Sequence, residues 1–206
     1  MHVLFGGTFD PIHQGHITVA LAVAKQLACS VTLLPNGQPP HKTSTTVSAQ
    51  HRLAMLNIAI SSHPELRVSD WELQQDTPSW TVNTAKHWRT QFPNSPLVWV
   101  IGEDSLGELH HWHHWHQLAE LCHLAVLPRQ GAKAPTPEVD KRFPLAALSQ
   151  LHQSAHGLRA HLAMDLQPIS STLIRQQLAE QHHSAAVPTK VMAYIQEHGL
   201  YGVPTA

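Results

Sequence analysis

Leu4-Phe5-Gly6-Gly7-Thr8-Phe9-Asp10-Pro11-Ile12-His13-Gln14-Gly15-His16-Ile17 is the stretch on which the reading of the fold turns. An apolar run at 3–5 leads into it, and Ile17, Leu21, Ala24 and Ala28 recur at three- to four-residue intervals after it. That pattern predicts a strand, a glycine-bearing loop and a helix. The same order of elements seats phosphates on a helix N-terminus. Gly6-Gly7 removes Cβ atoms where the backbone must bend or approach a ligand closely, and Gly15 does so beside His16. His13 and His16 are spaced so that both rings can face one anion. A neutral imidazole donates a hydrogen bond to a phosphoryl oxygen, and a protonated one adds charge. With 19 histidines in the chain a pair alone says little, but the joint order strand, Gly-Gly, His-x-Gly-His, helix says much more.

Outward from that stretch, Val31-Thr32-Leu33-Leu34 reads as a second buried strand, completing a right-handed parallel crossover. Leu97-Val98-Trp99-Val100-Ile101 is apolar on both faces, as a central parallel strand is. Residues 123–127 and 158–164 read as further strands. A short strand at 66–69 has its alternation carried on by Trp71 and Leu73 until Pro78 stops it. Helical periodicity covers 48–60, capped by Ser48, then 79–91, 138–157 and the segment after 170. Pro188 opens a last helix over 189–198, which Gly199 ends. Residues 132–137 read as an exposed loop. Strands alternating with helices predict an α/β fold: a doubly wound, Rossmann-like domain over 1–206 with a mostly parallel sheet.

Composition narrows the functions. A formal net charge of −1 leaves no basic footprint for a nucleic acid polymer. Cys29 and Cys122 have no disulfide-framework or metal-ligand spacing, which predicts buried free thiols in a reducing cytoplasm. The longest apolar patch, at 17–24, is too short to span a bilayer.

Several polar groups stand where ligands are expected. The second strand ends in Pro35-Asn36-Gly37, and Lys42 in the following loop is placed to meet a phosphate. Gly102 followed by an acid at a strand C-terminus suits ribose or base contacts. Arg129 follows the fifth strand as a phosphate or pocket residue. Arg175 lies in the first turn of a helix opened by Ser170, Ser171 and Thr172, where a cation is unfavourable unless an anion is present. In the run 110–116, His110 and His114 are four apart, the spacing of metal ligands on a helix, but no acidic or cysteine ligand accompanies them.

The opening stretch resembles the T/HxGH signature of the nucleotidyltransferase superfamily, and most closely the GGTFDPxHxGH form of the nicotinate-nucleotide adenylyltransferase family. Ile169-Ser170-Ser171-Thr172-Leu173-Ile174-Arg175 is similar to the superfamily's second signature, ISSTxIR. Between them, Pro35-Asn36 with Pro39-Pro40-His41-Lys42 resembles the family loop over nicotinate mononucleotide. Ser79-Trp80-Thr81 resembles its S-(Y/W)-T helix start, where backbone N–H groups hold the nicotinate carboxylate. Gly102-Glu103-Asp104-Ser105-Leu106 resembles the GxDSL segment. Trp112 matches the tryptophan stacked on the pyridine ring, with His113 where the family often has tyrosine. Arg129-Gln130-Gly131 resembles an R-(P)-G turn with glutamine for proline.

The resemblance implies transfer of the AMP part of ATP to nicotinate mononucleotide, giving deamido-NAD and pyrophosphate. His13, His16 and Arg175 would act on the triphosphate. Gly6, Gly7, Thr8, Phe9, Gly102, Ser170, Ser171 and Thr172 would line the ATP. Asn36, Lys42, Thr81, Asp104, Trp112 and Arg129 would line the mononucleotide. The acceptor phosphate is already an anion, so positioning and charge stabilisation are what the protein must supply. Mg²⁺ is expected to arrive with ATP, since no carboxylate cluster offers a cage. The alternatives are a pantetheine-phosphate adenylyltransferase, which calls for neither the Pro-Pro-His-Lys loop nor Trp112, a non-catalytic nucleotide-binding module, and a His-rich metal-handling protein.

Overall fold

Parallel strand pairing organises the chain. The computed structural model describes residues 1–37, 46–165 and 169–205. Its six strands are β1 (His2–Gly7), β2 (Val31–Pro35), β3 (Leu66–Val68), β4 (Leu97–Gly102), β5 (His123–Leu127) and β6 (Arg159–His161). They form one sheet in the order β3-β2-β1-β4-β5-β6, and every pairing is parallel. The strand order reverses between β1 and β4, so a crevice opens beyond their C-terminal ends, where Gly6, Gly7 and Gly102 lie.

The alternation of side chains along each strand assigns the two faces. Val3, Val98, Val100 and Ala125 pack against α1 (Gln14–Leu27), α2 (Ala49–Ile60), α6 (Ser171–Gln181) and α7 (Thr189–Glu197). Leu4, Trp99, Ile101 and Val126 pack against α3 (Thr81–Gln91), α4 (Glu103–Gly107) and α5 (Pro137–Arg142). Burying both faces of a parallel sheet explains why its strands read as continuous apolar runs. The result is the doubly wound, Rossmann-like fold that the sequence predicts, with a sheet that is parallel throughout.

Four expectations change. Trp71 and Leu73 do not extend β3; residues Trp71–Gln74 form a 3₁₀ turn instead. Leu73 N–H donates to Asp70 O, and the Gln74 and Gln75 side chains bond back to Asp70 and Trp71 O, so local bonds replace a ladder. The pattern at 138–157 is broken after α5. Pro144 cannot donate into a helix ladder, and a second short turn, Leu148–His152, follows. β6 is shorter than 158–164. Finally, Cys122 is buried but Cys29 is only half-buried; both are free.

Candidate active site

The backbone between β1 and α1 folds tightly around its own side chains. A Cβ on Gly7 would meet the Phe9 ring at 2.9 Å, and one on Gly6 would meet Trp99 at 3.1 Å. Phe9 adopts a positive φ of 49° and buries its ring, so only its backbone is left for a ligand. His13 precedes α1 as its N-cap without capping it through the side chain, and no acid stands in the first turn. Gln14 N–H donates to Ala186 O and His16 N–H to His13 O, so the Gly15 N–H and the helix dipole are what this N-terminus offers an anion.

The His13 and His16 rings stack on each other with centroids 3.6 Å apart. Both Nδ1 atoms are buried and have no hydrogen-bond partner. Burial holds the His13 imidazole down at about 4, and burial together with its neighbour His13 holds His16 well below the usual range. At neutral pH the pair consists of two uncharged rings.

A stability consequence follows. Above the ordinary value near 6.5, neither folded nor unfolded chain binds a proton at His13. Between there and about 4 the unfolded chain binds one that the folded chain refuses, so stability falls as pH drops through this window. The expected result is a melting temperature that declines across it, with a shallower decline in His13→Gln. An equally steep profile in that variant would count against the burial of a neutral His13.

The second signature docks on the first. Arg175 Nη1 donates to Asp10 O at 2.7 Å and its Nη2 to Thr172 Oγ1 at 3.3 Å, while Ser171 Oγ donates to Pro11 O at 3.3 Å. Ser170 is the N-cap of α6, accepting from Leu173 N–H, so its hydroxyl is already engaged. The expected clash of Arg175 with its own helix end is eased by the Asp10 carbonyl. Asp10 is itself buried, its carboxylate accepting from Tyr201 Oη at 2.7 Å and from Thr46 N–H at 2.8 Å.

Across the crevice lies a cavity of about 210 Å³, lined by Gly6, Asn36, Ser79, Trp80, Thr81, Trp99, Gly102, Trp112 and His113 among others. Gly37 N–H donates to Ser79 Oγ at 2.9 Å, which joins the end of β2 to the start of α3. No side chain caps α3, and its first internal bonds run from Asn83 and Thr84 N–H to Trp80 O. The two preceding N–H groups are left for a ligand. Trp112 has extended backbone, and His113 stacks on Trp80 with centroids 4.6 Å apart.

The structure brings Asn36, Thr81, Gly102 and Trp112 to one cavity, with His13, His16 and Arg175 around the β1–α1 loop. It does not bring Asp104 and Arg129 into the cavity wall. They pair with each other at 3.6 Å, both exposed, at the ends of β4 and β5. Lys42 lies outside the described residues.

The run 110–116 is not one helix. His110 sits in the 3₁₀ turn Leu109–His111 and His114 has a φ of 49°, so the two do not share a helical face. The turn instead brings Glu108 beside His110 and His111, with ligand-type atoms within 4.8 Å of one another, an acid that the sequence pattern did not pair with the run. Lys133 Nζ already sits 3.1 Å from that carboxylate.

Glu72 is the site residue that periodicity hides. It is 3% exposed, its Oε1 accepts from Thr84 Oγ1 at 2.6 Å, and its Oε2 is buried without a partner. Burial pushes its carboxyl up, against the opposing effect of Thr84 and Ser79. Read as part of a strand, Glu72 would point away from its apolar neighbours; the 3₁₀ turn carries it into the cavity wall.

The cytidylyltransferase-like family model matches residues 4–177. A protein of Idiomarina loihiensis named "probable nicotinate-nucleotide adenylyltransferase" is 40% identical over 98% of this chain and 99% of its own length. One of Cronobacter sakazakii with the same name is 42% identical over 96% of this chain and 94% of its own. Among solved structures, Plasmodium falciparum nicotinic acid mononucleotide adenylyltransferase complexed with NaAD superposes with a TM-score of 0.76 at 18% identity. That superposition covers 99% of this chain and 98% of the other, and at this identity it speaks for the fold.

Proposed function

We propose a substrate pair and a mechanism from one premise: the chain belongs to the cytidylyltransferase-like family and, within it, to the nicotinate-nucleotide adenylyltransferases. The reaction is adenylyl transfer from ATP to nicotinate mononucleotide, a step of NAD biosynthesis. The mononucleotide phosphate oxygen forms a bond to the α-phosphorus, the bond to the β-phosphate oxygen breaks in line, and pyrophosphate leaves. Deamido-NAD is the other product. No covalent intermediate and no protein base are needed, because the nucleophile carries its charge already.

The observation that carries this reading is the stacked His13–His16 pair at a helix start with no side-chain cap, with an aromatic cavity across the β1/β4 switch point. Two neutral imidazole donors and a helix dipole suit charge building on the transferred phosphoryl group. Arg175, the backbone of residues 6–9, Gly102 and residues 170–172 are assigned to ATP. Asn36, Thr81 and Trp112 are assigned to the mononucleotide. Lys42, Asp104 and Arg129 are proposed for its phosphate and rim. Mg²⁺ is assigned to the triphosphate. Asp10, the acid of the β1–α1 loop, has both carboxylate oxygens engaged, so the described residues of that loop provide no cage for it.

The two free cysteines fit a reducing compartment and support action in the cytoplasm. No helix among the described residues is long and apolar enough to cross a membrane. The deciding experiment is pyrophosphate release from Mg-ATP with a panel of acceptors: nicotinate mononucleotide, its amide counterpart and phosphopantetheine. Release with phosphopantetheine alone, or with no acceptor, overturns the assignment.

Arg175 gives a second expected result. Arg175→Ala should raise the KM for ATP and lower kcat, with mononucleotide binding nearly unchanged. Because Arg175 also holds Asp10 O, circular dichroism must first show that the helix content is retained. Unaltered ATP kinetics in a folded variant would remove Arg175 from the triphosphate site.

A further inference from the structure

Arg52 lies in the first turn of α2, away from both the surface and the cavity wall. It is 0% exposed. Nη1 donates to Thr8 O at 2.8 Å, Nη2 donates to Asn36 O at 2.7 Å, and Nε is buried without a partner. Burying a guanidinium is costly, and a cation in the first turn of a helix opposes the dipole. An apolar side chain would fill the space more cheaply if filling were its only task.

The two carbonyls it joins belong to different halves of the site. Thr8 is in the loop between β1 and α1; Asn36 follows β2 in the wall of the aromatic cavity. Beyond the last sheet pairing, Asn36 N–H donates to Gly7 O at 2.9 Å, so the segment that carries the Asn36 carbonyl starts from a fixed point on β1. A planar fork with diverging donors spans two carbonyls at once, whereas an ammonium is a single point of charge.

We propose that Arg52 is a positioning residue that sets the separation between the ATP loop and the mononucleotide loop, so that the alignment of both substrates depends on one guanidinium. This rests on the substrate assignment above. Attack in line tolerates little misplacement, and an error of about 1 Å costs on the order of a hundredfold. Neighbouring contacts reinforce the arrangement: Asp10, two residues beyond Thr8, is held by Tyr201 and Thr46 through its carboxylate and by Arg175 at its carbonyl.

The test is steady-state kinetics of Arg52→Lys and Arg52→Gln, with each substrate varied in turn and melting temperatures measured alongside. Lysine keeps the charge and loses the fork. Glutamine removes the guanidinium charge and keeps one short donor, and because the buried Asp10 carboxylate then loses a neighbouring countercharge its melting temperature is measured first. The expected result, in variants melting within a few degrees of the native chain, is a KM raised about tenfold for both substrates and kcat lowered about tenfold or more. Native constants overturn the proposal, and so does a KM that rises for one substrate alone. Loss of the fold in both variants also overturns it, since the residue would then be purely structural. Pyrophosphate release by the native chain tests the substrate assignment separately. If a different acceptor proves active, the comparison is run with that acceptor and is judged on the same outcomes.

Discussion

His16→Ala is expected to lower kcat by about a hundredfold or more, with little loss of stability. The ring is held from one side by His13 at 3.6 Å and from the other by the edge of Phe9 at 5.0 Å, so its orientation is set before any ligand arrives. Burial keeps the ring neutral, so one of its nitrogens carries a proton that can be donated. A fixed neutral donor gains most when negative charge accumulates opposite it, and losing one such donor from a water-poor site costs on the order of a hundredfold to a thousandfold. The fold should tolerate the change, since the residue is half-buried near the start of α1 and alanine is the better helix former. The decisive measurement is kcat at saturating ATP and acceptor in a variant with native circular dichroism. Near-native turnover would mean that His16 only packs.

Preference for the acid over the amide form of the pyridine nucleotide should reach about a hundredfold in kcat/KM. The two differ in a carboxylate against a carboxamide, so shape separates them poorly and charge must do it. Thr81 opens α3 in the cavity wall, no side chain caps that helix, and the dipole favours an anion there. On the proposed assignment both carboxylate oxygens would accept from N–H groups there, whereas an amide would turn an NH₂ towards at least one donor. A misplaced donor in a dry pocket costs about 1–3 kcal/mol, and the lost charge-assisted bond adds to it. Among the described residues Glu72 is the one acid in that wall, and its Oε1 is engaged by Thr84 Oγ1 at 2.6 Å. Trp112, which lines the cavity, would stack equally well on either ring, so Trp112→Ala should weaken both substrates alike. Equal efficiency on the amide form would remove Thr81 from carboxylate recognition. A Trp112→Ala variant impaired on one form only would show that the indole discriminates between the two and does more than stack.

The strand–loop–helix of residues 4–17 was legible because everything that makes it is local: apolar periodicity, glycines where Cβ atoms do not fit, and two histidines three apart that must meet once the helix starts. The same holds for β4, whose five apolar residues can be satisfied only between two layers of helices. Gly102 at the end of β4 was legible as a candidate from its place in the pattern, whereas Asn36 and Thr81 were singled out by the family resemblance. What tertiary structure alone decided are contacts between elements far apart in sequence, for which periodicity carries no signal. Arg52 reads as an ordinary polar residue of an amphipathic helix until β1 and β2 bring the carbonyls of Thr8 and Asn36 within its reach. Asp10 reads as a loop acid until Tyr201, 191 positions away, donates to it. Glu72 and the histidine run were misjudged from spacing because short stretches of alternating or four-apart residues satisfy several backbone geometries. The choice of 3₁₀ turns there was made by side-chain bonds and by the cavity that Trp112 enters.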